Sequence, residues 1–531
     1  MRHQVRLLSF VASGCIGVAL AADVTTVDVS VPITAPTKSQ PLASTLLSFS
    51  IEQDNWPDWS GIDARNEFTY SALTALANLT GTPPKLRVGA DSEDHTVWSP
   101  TVTQVNEDIF PPANAITPYP EATNITVGNE YYTLTRWLPA GTHMVWGVNL
   151  GYNNITNAVN MAKAIIRAFS LPSVQSSGVV LERIEVGNEA DLYSSNGLRP
   201  ADNWTVEEYV ADWESVAGPV VETAGLYDKY GLVTLQGAAF ASQKFTPREI
   251  FALGILNSTA GRTISTISQH QYSAAFCNGG NFGLIDFMNK STVRGNLTIF
   301  EADIAATYAQ GLTYVLGETN SIACHGAPGV SNTAGAALWA IDYTLFASTI
   351  GIRELYFHEG VGYKYNFLQP VTLNYSTING TPLNPPAPPH IQPAFYGGLV
   401  IDTFIGSSGL AQIVELDVPN NNTSGYAAFE GGRLTRAVFV NLNAWVVNST
   451  GTRPVVHIDL DLVNGTGIAS QATARRLVIQ HADDTANLTW AGQSYEQTAL
   501  VSPTGQVVLE DVNLQEGLDL QATEAVLLTF E

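Results

Sequence analysis

The sequence predicts an α/β protein, a (β/α)8 TIM barrel followed by a C-terminal antiparallel β-sandwich domain, and three observations carry that prediction. From about residue 46 to 405, short β-rich apolar runs alternate with longer amphipathic segments, the signature of repeated βα units. Eight strand candidates can be counted there, and eight strands joined by helices specify a closed barrel better than an open sheet. After Gly406 the pattern changes to short alternating strands broken by Asn, Gly and Thr turns.

Residues 1–21 read as a secretory leader: Arg2, His3 and Arg6 are basic, Leu7 to Leu20 is apolar, and Ala19-Leu20-Ala21 offers a small-residue cleavage site. A secreted, extracellular protein is therefore expected. Residues 22–40 are expected to add one or more strands to the sandwich through Val24 to Ile33. The barrel is assigned to 41–406, with strands at Leu46–Glu52, Lys85–Gly89, Met144–Leu150, Arg183–Val186, Leu232–Gly237, Thr263–His270, Tyr314–Gly317 and Ile352–His358. Between them, Thr69–Leu79, Ile155–Phe169, Val206–Val221, Phe300–Ala309 and Ala334–Ser348 repeat apolar residues every three to four positions, as helices do. The proline-rich run 385–389 reads as a stiff loop before a last helix, Pro393–Ile405. Residues 407–531 form the sandwich, with strands such as Arg436–Asn441, Val455–Leu460 and Arg476–Gln480.

With 45% hydrophobic and 14% charged residues, the chain of 531 residues has the composition of a packed globular enzyme. Its net charge of -24 argues against nucleic acid, heparin-like polymers and anionic membranes as partners, and a monomer is expected. Asn-x-Ser/Thr sequons, among them Asn78, Asn154, Asn257 and Asn448, suit a eukaryotic secretory route. Cys15 falls in the leader, leaving Cys277 and Cys324 as an even pair. They follow strands six and seven, where adjacent loops bring one disulfide within reach, with two free thiols as the alternative. No Cys/His cluster, Asp/Asn calcium loop or nucleotide loop is present, so neither a metal nor a cofactor is expected.

Active sites of such barrels lie at the C-terminal ends of the strands. Two glutamates fall there: Glu189 in Gly187-Asn188-Glu189-Ala190-Asp191 after strand four, and Glu318 in Gly317-Glu318-Thr319-Asn320 after strand seven. Glycosidic cleavage needs two carboxylates flanking one bond, one protonated and one ionised. Strand six ends Gln269-His270-Gln271-Tyr272, which places Tyr272 to bond Glu318 and His270 on the same rim.

Asn188-Glu189 and Glu318 match the large clan of retaining (β/α)8 glycosidases. The resemblance implies Glu189 as acid/base, Glu318 as nucleophile and Asn188 as a ligand of the sugar 2-hydroxyl. With Leu86-Arg87-Val88-Gly89, His270-Gln271-Tyr272 and Gly326-Ala327-Pro328-Gly329 added, the chain resembles glycoside hydrolase family 79, which holds β-glucuronidases and heparanases. The substrate so implied is a glycan bearing glucuronic acid, or its 4-O-methyl form. By the same resemblance the Gly326 N–H and the hydroxyl of Tyr363 or Tyr365 bind the sugar carboxylate, while Glu52 and Asp91 are plausible hydroxyl acceptors. Acids and aromatics in Asp91-Ser92-Glu93-Asp94 and Asp54-Asn55-Trp56-Pro57-Asp58-Trp59 favour release of one terminal sugar over internal cleavage of a polyanion. Two alternatives stay open: a heparanase-like endo-enzyme, and a glucosidase- or xylosidase-type member of the clan.

Overall fold

The structure, a computed structural model, describes residues 24–465, 470–497 and 499–530. The leader expected at 1–21 lies outside the described residues. Eight parallel strands close into a barrel: Leu47–Glu52, Leu86–Gly89, His143–Val148, Val180–Val186, Thr234–Phe240, Ile264–Tyr272, Thr313–Asn320 and Leu355–Glu359. The first pairs with both the second and the eighth, Glu52 lying opposite Gly89 and Ser50 opposite His358. Each strand is thus covered on both faces, so most of its residues are buried, polar ones such as Ser50, Arg87, Glu185 and Gln269 included.

The helices start and stop where local chemistry dictates. Asn66 caps Glu67–Thr80 by accepting from the N–H groups of Phe68 and Thr69, and Gly81 ends it in the left-handed region. Asn154 caps Ile155–Ser170 in the same way. Ala334–Thr349 and Pro393–Ile405 are apolar nearly all round, with almost every residue buried, because both lie between the barrel and the second domain. Arg294 ties that junction, bonding Asp342 on the first of these helices and Glu415 at 2.6 Å on a strand of the second domain.

Beyond the barrel, antiparallel strands including Gln412–Leu416, Thr423–Glu430, Arg433–Asn441, Gln471–Val478 and Glu524–Phe530 form a large sheet. A three-stranded sheet, Val24–Pro32 with Val455–Val463 and Leu518–Gln521, packs over it around a second apolar core that includes Val29, Phe439, Ile458 and Leu528. Val24–Pro32 runs parallel to its partner, Val24 opposite Val455. No helix among the described residues is long and apolar enough to cross a membrane.

Three details differ from expectation. The fifth strand starts at Thr234, and Leu232 is 97% exposed, so it belongs to the preceding loop. The proline-rich run is not a loop: Pro382–Ala387 pairs antiparallel with Leu373–Tyr375, its side chains mostly exposed, as suits prolines on an edge strand. Between the second and third barrel strands stands a three-stranded sheet, Thr96–Trp98, Asn106–Ile109 and Asn124–Val127, whose short strands gave too few residues for a period.

Candidate active site

Glu189 and Glu318 meet at the C-terminal mouth of the barrel. Glu318 lies within the seventh strand, opposite His270 of the sixth. Glu189 follows the fourth strand through Gly187, φ +86°, and itself adopts φ +49°. A glutamate in the left-handed region is strained, and its surroundings hold it there. The Glu189 N–H donates to the Ala239 carbonyl at 2.9 Å. Asp94, wholly buried, accepts from the N–H of Asn188 at 3.1 Å and from the Tyr193 hydroxyl at 2.6 Å, and its other oxygen takes the N–H groups of Leu150 and Gly151. This carboxylate fixes the turn that presents Asn188 and Glu189.

Beneath the pair lies Arg87, with none of its side chain exposed. Its guanidinium donates to Glu318 Oε2 at 2.9 Å, Asn188 Oδ1 at 2.7 Å, Glu185 Oε1 at 2.6 Å and Ser50 Oγ at 2.9 Å. Burial opposes its charge, yet Glu185, Glu318 and Glu93 together raise its pKa, so it stays a cation. Glu93 fills a slot against Arg87 that exists because Gly89 and Gly147 carry no Cβ, which would come within 2.5 Å and 1.8 Å of its carboxylate. The Tyr272 hydroxyl donates to Glu318 Oε1 at 2.7 Å, as its place on strand six led us to expect. His358 Nε2 meets Glu52 Oε1 at 2.9 Å, and its Nδ1 is 4.0 Å from Glu318 Oε2.

These surroundings drive the two glutamates apart electrostatically. Burial alone pushes the Glu318 carboxyl up, but the charges of His358 and Arg87 and the Tyr272 hydrogen bond overcome it and hold the pKa down at about 2. Glu189 goes the other way, pushed well above the usual carboxylate range by burial first and then by the charge of Glu318. Its Oε1 is 2.9 Å from His270 Nδ1. Burial brings the His270 pKa down to about 4, so that ring is neutral at pH 7. His358 is pushed up to about 9, Glu318 and Glu52 outweighing the effect of burial. Glu52 itself stays above its ordinary value because burial outweighs its bond to His358.

An oxygen of Glu189, an oxygen of Glu318 and a ring nitrogen of His270 all lie within 4.8 Å of one another. By spacing alone the three could grip a cation. The donor set fits one poorly, because Arg87 and Tyr272 already occupy the two Glu318 oxygens and a metal there would face the guanidinium. The spacing instead suits a bond cleaved between one ionised and one protonated carboxyl.

The remaining expected residues fall into place unevenly. Glu52 is buried beside His358 and accepts from both the N–H and the hydroxyl of Ser92. Asp91 is exposed at the rim, with His95 Nε2 at 3.5 Å, and its neighbour Asp94 is the one that supports the site. Gly326 has φ +81°, but its N–H donates to the Ile322 carbonyl at 3.1 Å, so the donor expected for a sugar carboxylate is engaged within its own loop. Tyr363 and Tyr365 are both buried, their rings 5.7 Å apart and edge to face. Cys277 and Cys324 form a disulfide. Trp56 and Trp59, expected on the rim, belong to the core, Trp56 packing edge-on against Trp146. Glu121 and His358 carried no expectation, Arg87 entered only through its motif, and Glu93 and Asp94, expected among the acids that favour a terminal sugar, are buried in support of the site. Arg87 carried the usable signal, a single charge inside the otherwise apolar strand Leu86–Gly89 that only pairing makes tolerable, whereas Glu185 shares its strand with Glu182 and Arg183.

Residues 425–527 match the glycosyl hydrolase family 79 C-terminal beta domain. A beta-glucuronidase of Neurospora crassa is 26% identical over 532 residues, spanning 92% of this chain and 90% of its own length. One from Aspergillus niger is 27% identical over 476 residues, spanning 86% and 83%. In fold, the chain is similar to a 4-O-α-L-rhamnosyl-β-D-glucuronidase from Fusarium oxysporum 12S, solved as a Rha-GlcA complex, with a TM-score of 0.77 at 23% identity over 95% of this chain and 100% of that one.

Proposed function

The chain belongs to glycoside hydrolase family 79 and is a β-glucuronidase-like glycoside hydrolase, and from that premise we propose that it removes terminal β-linked glucuronic acid, or its 4-O-methyl form, with retention of configuration. One observation carries the stereochemical part: carboxyl oxygens of Glu189 and Glu318 lie within 4.8 Å. Retaining enzymes hold their carboxyls about 5–5.5 Å apart, whereas inverting ones leave roughly 6.5–9.5 Å for a water.

In this reading Glu318, kept ionised, attacks the anomeric carbon while Glu189, kept protonated, gives its proton to the departing oxygen. A covalent glycosyl ester on Glu318 results. Glu189, now a carboxylate, takes a proton from the incoming water, which displaces Glu318 and returns the anomeric configuration to its starting hand. Asn188, oriented by Arg87, is placed for the 2-hydroxyl, where a hydrogen bond strengthens as positive charge develops on the ring.

The terminal mode of attack rests on charge. A net charge of -24 disfavours a polyanion extending on both sides of the cleaved bond. Secretion fits the same picture, an enzyme meeting its glycan outside the cell. Two measurements test the proposal. Proton NMR of 4-nitrophenyl β-glucuronide hydrolysis should reveal β-glucuronic acid as the first product, and α-anomer first sinks the retaining mechanism. Chromatography of glycan digests should give free monosaccharide, and internal fragments from heparan sulfate without it sink the terminal mode.

A further inference from the structure

On strand six Ser268, His270 and Tyr272 stand two residues apart and therefore on one face. Between Gln269 and His270 the register with strand seven slips: Gln269 lies opposite Leu316 but His270 opposite Glu318, which leaves Gly317 over as a bulge. Only glycine fits there, since a Cβ would come within 2.1 Å of Ser268 Oγ. The slip seats His270 between the two glutamates, with Nδ1 2.9 Å from Glu189 Oε1. Its ring is wholly buried, and Nε2 has no hydrogen-bond partner among the described residues. The second carboxyl oxygen of Glu189 makes no hydrogen bond among them either, but it is not shut in, and the side chain is 20% exposed towards the pocket. A protonated Glu189 and a neutral imidazole can meet in two ways. Either the acid's O–H donates to Nδ1 and the ring's own hydrogen sits on Nε2, or Nδ1–H donates to Oε1 and the acid's hydrogen sits on Oε2. The first way buries an N–H without an acceptor, the rarer defect in folded proteins, and ties up the proton that the leaving group needs. The second leaves only a bare lone pair on Nε2.

We propose that His270 is a positioning residue: its Nδ1–H donates to Glu189 Oε1 and so confines the acid's proton to Oε2, the oxygen open to the leaving group. In the first step that proton passes from Oε2 to the glycosidic oxygen, which keeps both electrons of the breaking C–O bond, while the Nδ1 hydrogen stays on the ring. Glu189 is then a carboxylate, and the same N–H becomes a charge-assisted bond to it. The donor therefore favours the ionised form of Glu189 and works against burial and Glu318, which push the other way. Glu318, Arg87, Glu185 and Asp191 stand around the ring, and Glu318, Asp191, Asp91 and Arg87 around Glu189. Burial keeps the imidazole neutral among them, its pKa lowered to about 4, so it orients the acid without competing for the proton. The proposal rests on the retaining glucuronidase reading and adds to it which oxygen of Glu189 delivers the proton, and what decides it.

The test is the pH profile of kcat/KM on aryl β-glucuronides, with the leaving group then varied. His270→Leu removes the donor and keeps apolar bulk in its place. Without it Glu189 holds its proton more tightly, so the basic limb should move up by on the order of one pH unit. With the proton free to sit on either oxygen, phenyl β-glucuronide, whose leaving group needs the acid, should lose on the order of 10- to 100-fold, and 2,4-dinitrophenyl β-glucuronide less than about threefold. His270→Asn, whose side-chain N–H can take the Nδ1 place, should bring both readings back towards the wild type. A basic limb that moves down instead shows the ring accepting the acid's proton and overturns the assignment. An equal loss on both leaving groups with an unmoved limb, the mark of a merely structural role, overturns it too. NMR of the wild type labelled with 15N-histidine reads the tautomer directly: the ring signals absent from His270→Asn should show hydrogen on Nδ1, and hydrogen on Nε2 sinks the proposal. An enzyme that cleaves no aryl β-glucuronide with retention sinks the parent reading. A retaining enzyme whose limb and leaving-group dependence ignore His270 sinks this one alone.

Discussion

Arg87 holds Glu318 Oε2 at 2.9 Å from a guanidinium with no exposed surface, and the same group reaches Asn188 Oδ1 at 2.7 Å. One buried cation therefore sets both the charge of Glu318 and the place of the residue beside Glu189. Replacing it by a neutral side chain, Arg87→Met, strands Glu185, Glu318 and Glu93 without it. Destabilisation of about 3–5 kcal/mol is expected, read as a lower urea midpoint. In the folded fraction the acid limb of kcat/KM should move to higher pH, because Glu318 loses a charge that holds its pKa down. An unmoved acid limb would detach Arg87 from Glu318.

The two glutamates should fail differently. Glu318→Gln removes the attacking carboxylate and is expected to cost at least about 10^4-fold in kcat whatever the leaving group. Glu189→Ala should spare the first step on an activated aryl glucuronide, accumulate the glycosyl-enzyme, and be rescued by azide, a nucleophile needing no general base. Burst kinetics and glycosyl-azide formation are the readouts. Inverted glycosyl azide from the Glu189 variant, or retained glycosyl azide from the Glu318 variant, would exchange the two roles.

Stability should depend on pH at both ends. The Glu318 pKa is depressed to about 2 from an ordinary 4.5, so its contribution is present above 4.5 and is lost as pH falls towards 2. The His358 pKa is raised to about 9 from 6.5, so its contribution is complete below 6.5 and is lost as pH rises through 9. Melting temperatures measured from pH 6.5 to 9.5 should therefore fall in the wild type and fall less in His358→Gln. Parallel curves would show that His358 does not titrate in this range.

Reduction of the disulfide is the fourth test. It closes a loop with a sequence separation of 47, which in the chain-entropy model is worth about 4 kcal/mol at most. Cys277→Ser should lower the urea midpoint and, by freeing the Cys324–Gly326 turn, raise KM for the glucuronide more than it lowers kcat. A change confined to stability would mean that the loop keeps its shape unaided.

What the sequence conveyed is largely periodic. The eight barrel strands could be read because apolar runs alternate with amphipathic helices, and Glu189 and Glu318 because each ends such a run. Long-range partners left no such trace. Glu121 and His325 are separated by about 200 positions, and nothing local marks either as half of an ion pair. The same holds for Asp94, whose neighbour Asp91 looked equally suitable, since a five-residue 3-10 turn decides which of the two faces inward. The turn at Gly326 was equally silent: a glycine near a helix start advertises an N–H, and nothing local shows that in this turn it lies 3.1 Å from the Ile322 carbonyl.

Val24–Pro32 completes its sheet against Val455–Val463, and that pairing sets a timetable for synthesis. At about 5–20 residues per second the first strand leaves the ribosome roughly 20 to 90 s before its partner is made, while the whole barrel emerges between them. For that interval it is an unsatisfied β edge, with Val27, Val29 and Val31 ready to pair with another chain. Nascent molecules crowded on one message are then each other's nearest wrong partners, so yield in a heterologous host should depend on translation rate and on holdase chaperones more than on the stability of the finished enzyme.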